Sequence, residues 1–582
     1  MKVLLTAINA KYIHSNLAVY SLKANCGVYE PQVKLMEYSI NQYPEEIFQS
    51  LYREKADVVC FSCYIWNIGF VEQIAGWLKQ VAPRTEIWLG GPEVSFDVAE
   101  RLEQRPFIDG VMYGEGEDTF REMMACWNGD MDVENVLGIG HRHKDGGSSG
   151  EIHVHGARDF VDMSGLNFVY TRPEDFKNKI IYYETSRGCP FQCSYCLSSV
   201  EKKVRFRDLD LVKRELQQFI DWEIPQVKFV DRTFNCRREH SMEILKFIKT
   251  HDRGKTNFHF EITADLLTEE ELEFMAGLRP GLIQLEIGVQ STNPQTIREI
   301  RRNVSFEKLK GIVQRIHEGK NIHQHLDLIA GLPYEDLERF KQSFNDVYAL
   351  KPEQFQLGFL KVLKGSYMRE KAEDYGLVYQ PEPPYEVMAT RWLFYDDILV
   401  LKGVEEMVEV YYNSRQFENS LDWLEGHFPS AFAMYEQMAQ YYETKGLNGV
   451  SHSRMARYEI LLEFVKENLN IEETDIFVQI LTYDLYLREN VKSRPAWASG
   501  QDAYKAAYVE FFKREENRDR YFSGYEGYTT KQIQRMTHIE HFTRDIREGA
   551  GGEKDGGVFI WFDYLNRDPL TYKSRTVEVE LW

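Results

Sequence analysis

The stretch SRGCPFQCSYCLSS, Ser186 to Ser199, places Cys189, Cys193 and Cys196 on one short segment. It follows KIIYY (Lys179 to Tyr183), a strand-like run that becomes a loop at Arg187 and Gly188. Three thiolates on one loop can ligate three irons of a [4Fe-4S] cluster and leave the fourth iron without a protein ligand. A structural zinc site would need a fourth ligand at a matching spacing. The next cysteine, Cys236, sits in NCRR, which offers no second ligand.

The rest of the composition favours that chemistry. A chain of 582 residues is too long for one core and predicts several domains. No run approaches the roughly 18 consecutive apolar residues of a membrane span. MKVLLTAINAKYIHSN at the start reads as a buried strand turning polar rather than as a signal peptide, so the expected location is the cytoplasm. Thiols stay reduced there, and clustered cysteines point to metal or catalysis instead of disulfides. A net charge of -21 excludes an overall basic footprint for nucleic acid and leaves only a local groove open.

Working toward the amino terminus, KVLLTAI, VKLMEY, DVVCFSCY, EIWLGG and GVMYGEG read as buried strands. Between them lie runs such as PEEIFQSLYREK and IGFVEQIAGWLKQVA, whose apolar residues recur at helical spacing. The alternation predicts a doubly wound, Rossmann-like α/β sheet over residues 1–140. Ligands of such sheets bind at the carboxyl ends of the strands. The loops there are SCYIWN (Ser62 to Asn67), GGPEVS (Gly90 to Ser95) and GEGE (Gly114 to Glu117). Cys60 and Cys63 fall on opposite faces of one strand and read as small buried hydrophobes. His141, His143, His153 and His155 flank a Gly/Ser turn, the pattern of a solvated hairpin, and residues 141–176 read as a linker.

Cys-x3-Cys-x2-Cys with Tyr195 just before the last cysteine resembles the signature of the radical S-adenosylmethionine (SAM) enzymes. QVKFVDRTFN, NFHFEITADLL, LIQLEIGVQS, HLDLIAGLPYED and FQLGFLKVLKGSYM are similar to the second to sixth strands of that family's barrel, and the local pattern independently reads as repeated βα units. The resemblance implies a partial (β/α)6 barrel over residues 177–370, with its site at the carboxyl ends of the strands. It implies that the three cysteines hold the cluster and that Tyr195 lies against the adenine. Glu261 and Gln290 would bind the ribose, Arg302 the methionine carboxylate, and Gly331 and Leu332 would pass beside the adenine. Asp231 of VDRTFN stands where the family commonly has Gly-Gly-Glu for the methionine amine.

With such a barrel behind it, the first sheet resembles the cobalamin-binding domain of the cobalamin-dependent subclass. The resemblance implies corrin contacts from Ser62, Tyr64, Trp66, Asn67, Gly90, Gly91, Pro92, Glu93, Gly114, Glu115 and Gly116. The D-x-H-x-x-G motif that carries a cobalt-ligating histidine is missing, and His14 in AKYIHSN has different surroundings. The implied corrin therefore has an unligated lower face, with Trp66 under or beside it. The implied activity is methylation of an unactivated carbon of a small-molecule or other substrate, through a 5'-deoxyadenosyl radical and methylcobalamin. A flavodoxin- or ferredoxin-type donor would supply electrons, and no side chain is assigned a catalytic role. Alternatives within reach of the sequence are a non-methylating oxidation, cyclisation or rearrangement, a tRNA methylthiotransferase-like activity, and a non-enzymatic corrinoid or redox sensor.

Residues 371–582 change character. PYEVMATRWLFYDDILVLKGVEEMVEVYYNS, SAFAMYEQMAQYYETKG and SRMARYEILLEFVKENL predict a mainly α-helical domain, and the tail after GAGGEKDGG predicts a final pair of strands. This part resembles the C-terminal extension of a family known mainly by sequence, and is expected to cap the barrel and shape the substrate pocket.

Overall fold

The computed structural model describes residues 1–143, 150–548 and 553–582. Its first layer is a seven-stranded sheet of β1 (Val3–Asn9), β2 (Val33–Ser39), β3 (Val58–Ser62), β4 (Glu86–Gly90), β5 (Gly110–Met112), β6 (Ile139–Arg142) and β7 (Ile152–Val154), in the order β2-β1-β3-β4-β5-β6-β7. The first five strands are parallel. Every residue of β1 is buried, as a strand covered on both faces must be. The covering helices bury single stripes: Ile47 and Leu51 from Pro44–Arg53, and Val71, Ile74 and Leu78 from Ile68–Val81. The order of strands reverses between β1 and β3, so the loops after these strands diverge and open a crevice there.

The histidine hairpin departs from its expected role as a linker. β6 and β7 run antiparallel beside β5 and extend the first sheet, because their backbone groups complete the ladder that β5 would otherwise leave open. His141 is buried as a result, not solvated. The Gly/Ser turn itself, residues 144–149, lies outside the described residues.

The second layer is a barrel of six parallel strands: β8 (Ile181–Tyr183), β11 (Gln226–Phe229), β12 (Asn257–Ile262), β13 (Ile283–Gln290), β14 (His323–Ala330) and β15 (Gln354–Phe359). Strand order follows chain order from β8 to β15. A small antiparallel pair, β9 (Ser186–Arg187) and β10 (Arg205–Phe206), brackets the cysteine loop. The two layers meet where the Ile180 amide donates to the Ile13 carbonyl at 2.7 Å and the Ser15 hydroxyl to the Ile180 carbonyl at 2.9 Å.

After the barrel, β16 (Val378–Tyr379) and β17 (Val387–Ala389) fold back on it, and the Val387 amide donates to the Leu360 carbonyl at 2.9 Å. Helices Tyr395–Met407, Ala431–Thr444, Arg454–Asn468 and Ile471–Arg488 follow, as their apolar spacing predicts. The tail forms three antiparallel strands, one more than expected: β18 (Thr537–Arg544), β19 (Glu553–Arg567) and β20 (Ser574–Glu578). The extra strand, THIEHFTR, precedes the glycine-rich turn, of which residues 549–552 lie outside the described residues. Its His538, Glu540, His541 and Arg544 conceal it as a strand, while Ile539 and Phe542 are buried in two different apolar clusters. Among the described residues no helix is long and apolar enough to cross a membrane.

Candidate functional site

A cavity of about 1140 Å³ lies at the carboxyl ends of the first sheet, against the cysteine loop. Nine of the residues expected to contact a corrin line it: Ser62, Tyr64, Trp66, Gly90, Gly91, Pro92, Gly114, Glu115 and Gly116. His14, Arg187, Gly188 and Arg232 close its other side. Gly91 has φ of 113°, and a Cβ there would sit 2.6 Å from the Cys63 carbonyl oxygen, so only glycine lets these two loops touch. Trp66 is 42% exposed, stacks on Tyr64 at 4.3 Å, and donates its indole N–H to the Ile8 carbonyl at 3.3 Å. The His14 Nδ1 lies 2.6 Å from the Tyr182 hydroxyl. Burial, aided by the charges of Lys11 and Lys228, pushes this imidazole below its ordinary pKa.

Asn67 and Glu93 do not line the cavity. Asn67 is fully buried, where its amide donates to the Ile8 and Ser62 carbonyls and its oxygen accepts from the Tyr64 amide. It shapes the loop that presents Tyr64 and Trp66. Glu93 turns the other way, accepting from the Tyr385 hydroxyl and pairing with Lys364 at 3.3 Å, so it anchors the segment after the barrel.

An ionic latch joins the two layers at the cavity rim. Arg187 pairs with Glu117 at 2.9 Å, Glu184 at 2.8 Å and Glu115 at 3.2 Å, and Arg205 also pairs with Glu115. Burial alone would raise the Glu115 carboxyl; the two guanidinium groups hold it below the ordinary carboxylate range. No sequence pattern marks Arg205, and the only signal for Arg187 is its place two residues before the first cysteine.

Backbone contacts pin the cysteine loop at several points. The Cys189 amide donates to the Glu201 carbonyl at 3.2 Å, the Ser194 amide to the Ile300 carbonyl at 2.9 Å, and the Met368 amide to the Ser194 carbonyl at 2.8 Å. Cys189 and Cys193 are buried and Cys196 is partly exposed. Burial raises the Cys193 thiol. Asp231, expected near the methionine amine, instead braces this loop. Its carboxyl is fully buried and accepts from the Thr185 amide at 3.0 Å, the Thr185 hydroxyl at 2.8 Å and the Ser186 hydroxyl at 2.8 Å. All three bonds end on Oδ1, Oδ2 shares the Thr185 amide at 3.0 Å and hydroxyl at 3.3 Å, and burial pushes the group up to about 7.

At the barrel mouth, Gln290 adopts φ of 70° beside a bulge in β13, a strained conformation for a side-chain-bearing residue. Its Nε2 donates to Asp327 at 3.2 Å. Arg302 donates to the Gly288 carbonyl at 2.6 Å and to the Tyr195 hydroxyl at 3.3 Å, which brings two of the expected residues together beside the cysteines. A Cβ on Gly288 would lie 2.3 Å from the Gln290 amide nitrogen. Gln290 Oε1, Arg302 Nε and Asp327 Oδ1 are buried without hydrogen-bond partners among the described residues. Such orphaned atoms are costly unless a polar ligand completes them. Glu261 likewise makes no side-chain hydrogen bond among the described residues, and burial, then the charge of Glu286, raises its carboxyl. Glu335, which no sequence pattern marks, accepts from Ser291 at 2.6 Å and Ser343 at 2.7 Å and fixes the loop after Gln290.

Gly331 and Leu332 are less open than expected. A Cβ on Gly331 would lie 2.7 Å from a methyl of Val387, and Leu332 is fully buried. Val387, on the strand folded back after the barrel, covers Gly331. That contact could not be read from the barrel sequence alone.

These residues fit the groups that the two layers imply. The cluster would be held by Cys189, Cys193 and Cys196, SAM by the orphaned donors and acceptors of Gln290, Arg302 and Asp327 with Glu261, and cobalamin by the glycine-walled cavity.

Comparison with known proteins agrees with this division. Residues 3–124 match the B12 binding domain, residues 183–347 the Radical SAM superfamily, and residues 373–560 a family described as a protein of unknown function (DUF4080). The cobalamin-dependent radical SAM methyltransferase TokK of Streptomyces tokunonensis is 26% identical over 356 residues, which is 56% of this chain and 50% of TokK. The 2-(S-pantetheinyl)-carbapenam-3-carboxylate methyltransferase of Streptantibioticus cattleyicolor is 24% identical over 431 residues, 66% of this chain and 61% of that protein. The chain thus spans between half and about three fifths of these relatives' lengths. The fold is similar to that of the cobalamin-dependent SAM radical enzyme OxsB with aqua-cobalamin bound, at TM-score 0.57 and 15% identity, covering 83% of this chain and 80% of that one. The chain therefore joins a B12-binding domain, a radical SAM domain and a mainly helical domain of the DUF4080 type.

Proposed function

We propose that this B12-binding, radical SAM protein is a methyltransferase that acts on an unactivated carbon of a small-molecule substrate. The observation that carries the reading is one cavity of about 1140 Å³ whose walls come from both the glycine loops of the first sheet and the cysteine loop of the barrel. When bound, the reduced cluster and SAM supply a 5'-deoxyadenosyl radical, and cobalamin supplies the methyl group.

The chain's own residues bind, orient and exclude water. Tyr64 and Trp66 present an aromatic floor to the corrin, and Gly91 and Gly114 let backbone approach it. Arg302 places a guanidinium fork for the SAM carboxylate, a planar match in charge and shape. Glu261 and Gln290 accept from the ribose hydroxyls. The Arg187 latch holds the two halves at fixed separation, which the transfer of a methyl group to a substrate carbon requires. Electrons would come from a flavodoxin- or ferredoxin-type donor in the cytoplasm.

The test is anaerobic turnover of the reconstituted holoenzyme with dithionite and methyl-labelled SAM. The expected products are 5'-deoxyadenosine and label on cobalamin, with label passing to one component of a metabolite extract. Cys193→Ala should abolish 5'-deoxyadenosine formation. Persistence of that product in the variant sinks the cluster assignment, and turnover without label transfer favours a non-methylating radical reaction on the same site.

A further inference from the structure

The antiparallel edge of the first sheet carries a second cluster, outside the cavity. β6 and β7 set His141 opposite His153, and His155 follows just after β7. The His141 and His155 side chains are nearly buried, and their Nε2 atoms face each other at 3.2 Å. Glu134, on the helical turn Val133–Asn135, brings one carboxylate oxygen to 3.9 Å from His141 Nε2 and the other to 3.8 Å from His155 Nε2.

We propose that Glu134, His141 and His155 form a binding site for a zinc-type divalent cation, with water in the fourth position. Tetrahedral zinc holds imidazole nitrogen and carboxylate oxygen at roughly 2.0 to 2.2 Å, which sets neighbouring ligand atoms about 3.3 Å apart. The imidazole pair already has that separation. The Glu134 side chain is half-exposed and free to close the remaining gap. The His155 Nδ1 lies 2.7 Å from the Val136 carbonyl, which can only accept, so Nδ1 carries the proton and Nε2 presents its lone pair toward His141. A backbone carbonyl holding the far nitrogen is the usual support for a metal-bound histidine. Two imidazoles and one carboxylate suit zinc rather than calcium or magnesium, which take oxygen ligands.

The site bears on the cavity through the backbone. The Tyr113 hydroxyl donates to the His155 carbonyl, and the Gly138 amide donates to the Gly156 carbonyl at 2.8 Å. Tyr113 and Arg158 line the cavity. A cation at Glu134, His141 and His155 would hold that wall in place, by tying the exit of β7 to the turn before β6.

The experiment uses the full chain with its iron-sulfur cluster reconstituted, so that the cysteine loop is occupied. The protein is incubated with zinc(II), desalted, and examined by metal analysis and zinc-edge X-ray absorption. The expected result is about one zinc per chain, with nitrogen and oxygen ligands including imidazole and no sulfur. Glu134→Gln alters a half-exposed side chain and should weaken zinc at least tenfold in competition with a chromophoric chelator, with iron content and circular dichroism unchanged. His141→Ala combined with His155→Ala should abolish retention. No retained zinc, zinc bound to sulfur, or zinc affinity unchanged in Glu134→Gln overturns the proposal. The wild-type absorption spectrum decides the ligand set even if the double variant does not fold.

Discussion

The Arg187 guanidinium donates to the Glu117 carboxylate at 2.9 Å, linking a residue just ahead of the cysteine loop to the first residue of the helix Glu117–Asn128 that follows β5. Arg187 is largely buried and faces three carboxylates. Burial opposes its charge, but Glu184 and Glu117 outweigh that cost and hold the group protonated. The cavity rim is therefore an electrostatic joint between the two layers.

Arg187→Ala removes that joint and leaves Glu115, Glu117 and Glu184 facing one another. Breaking a buried pair from one side costs about 3 to 5 kcal/mol. Arg205 remains on Glu115 and should limit the damage. The expected outcome is a cobalamin affinity at least tenfold weaker, equivalent to about 1.4 kcal/mol or more, with the iron content kept. Cobalamin retention after gel filtration and iron analysis check this. Unchanged retention would show that the two layers hold without the latch.

Gly91→Ala tests the glycine wall. The new methyl group would meet the Cys63 carbonyl oxygen at 2.6 Å in a backbone conformation that side-chain-bearing residues seldom adopt. We expect lost cobalamin binding and a melting temperature lower by several degrees, from a penalty on the order of 1 to 3 kcal/mol. Gly311→Ala, in the helix Phe306–Glu318 and away from the cavity, is the comparison, since its Cβ would meet nothing within 4 Å and its backbone is helical. Equal effects of the two changes would contradict the close-approach argument at Gly91.

Arg302→Ala should weaken SAM binding by roughly 10- to 100-fold, the range for a charged hydrogen bond of about 1.5 to 3 kcal/mol. The cluster cysteines should still load with iron. Arg302→Lys keeps the charge, loses the fork, and should recover only part of the affinity. Equilibrium binding of SAM to the reconstituted protein measures both, and wild-type affinity in the alanine variant would remove Arg302 from the site.

Burial, with the charge of Glu286 adding, pushes the Asp327 carboxyl up to about 7. The folded protein therefore binds this proton more tightly than the unfolded chain does. The resulting stabilisation is complete below the ordinary carboxylate pKa and is lost as pH rises toward 7, at about 1.4 kcal/mol for each pH step of one crossed on the way. Asp327→Asn imitates the protonated group. In the cofactor-free protein its melting temperature should therefore gain on the wild type between about pH 4 and pH 7 and change little relative to it above that. Parallel pH profiles for the two proteins would mean that Asp327 is ionised throughout.

The legible part of the site was what neighbours along the chain reveal. Cysteine spacing, the aromatic Tyr195, glycines after β4 and β5, and the βα alternation are local patterns, and the structure sets the cysteine loop and both glycine loops beside one cavity. Asp231, Glu93 and Asn67 turn their polar atoms to the protein, which the sequence could not show, because a polar residue at a strand end looks the same whether it meets a ligand or a buried backbone amide. Asp231 meets Thr185 from 46 positions away, and Arg187 meets Glu117 from 70.

The three-part architecture and the thiols able to hold a cluster were written in the order of the residues, since hydrophobic periodicity and ligand spacing are properties of short segments. Folding in three dimensions settled which polar groups remain unpaired at the barrel mouth, that the histidine hairpin closes the first sheet, and that Val387 covers Gly331. Those outcomes depend on which distant surfaces exclude water from each other, and burial, rather than residue type, fixes whether a polar side chain braces the fold or stays available to a ligand.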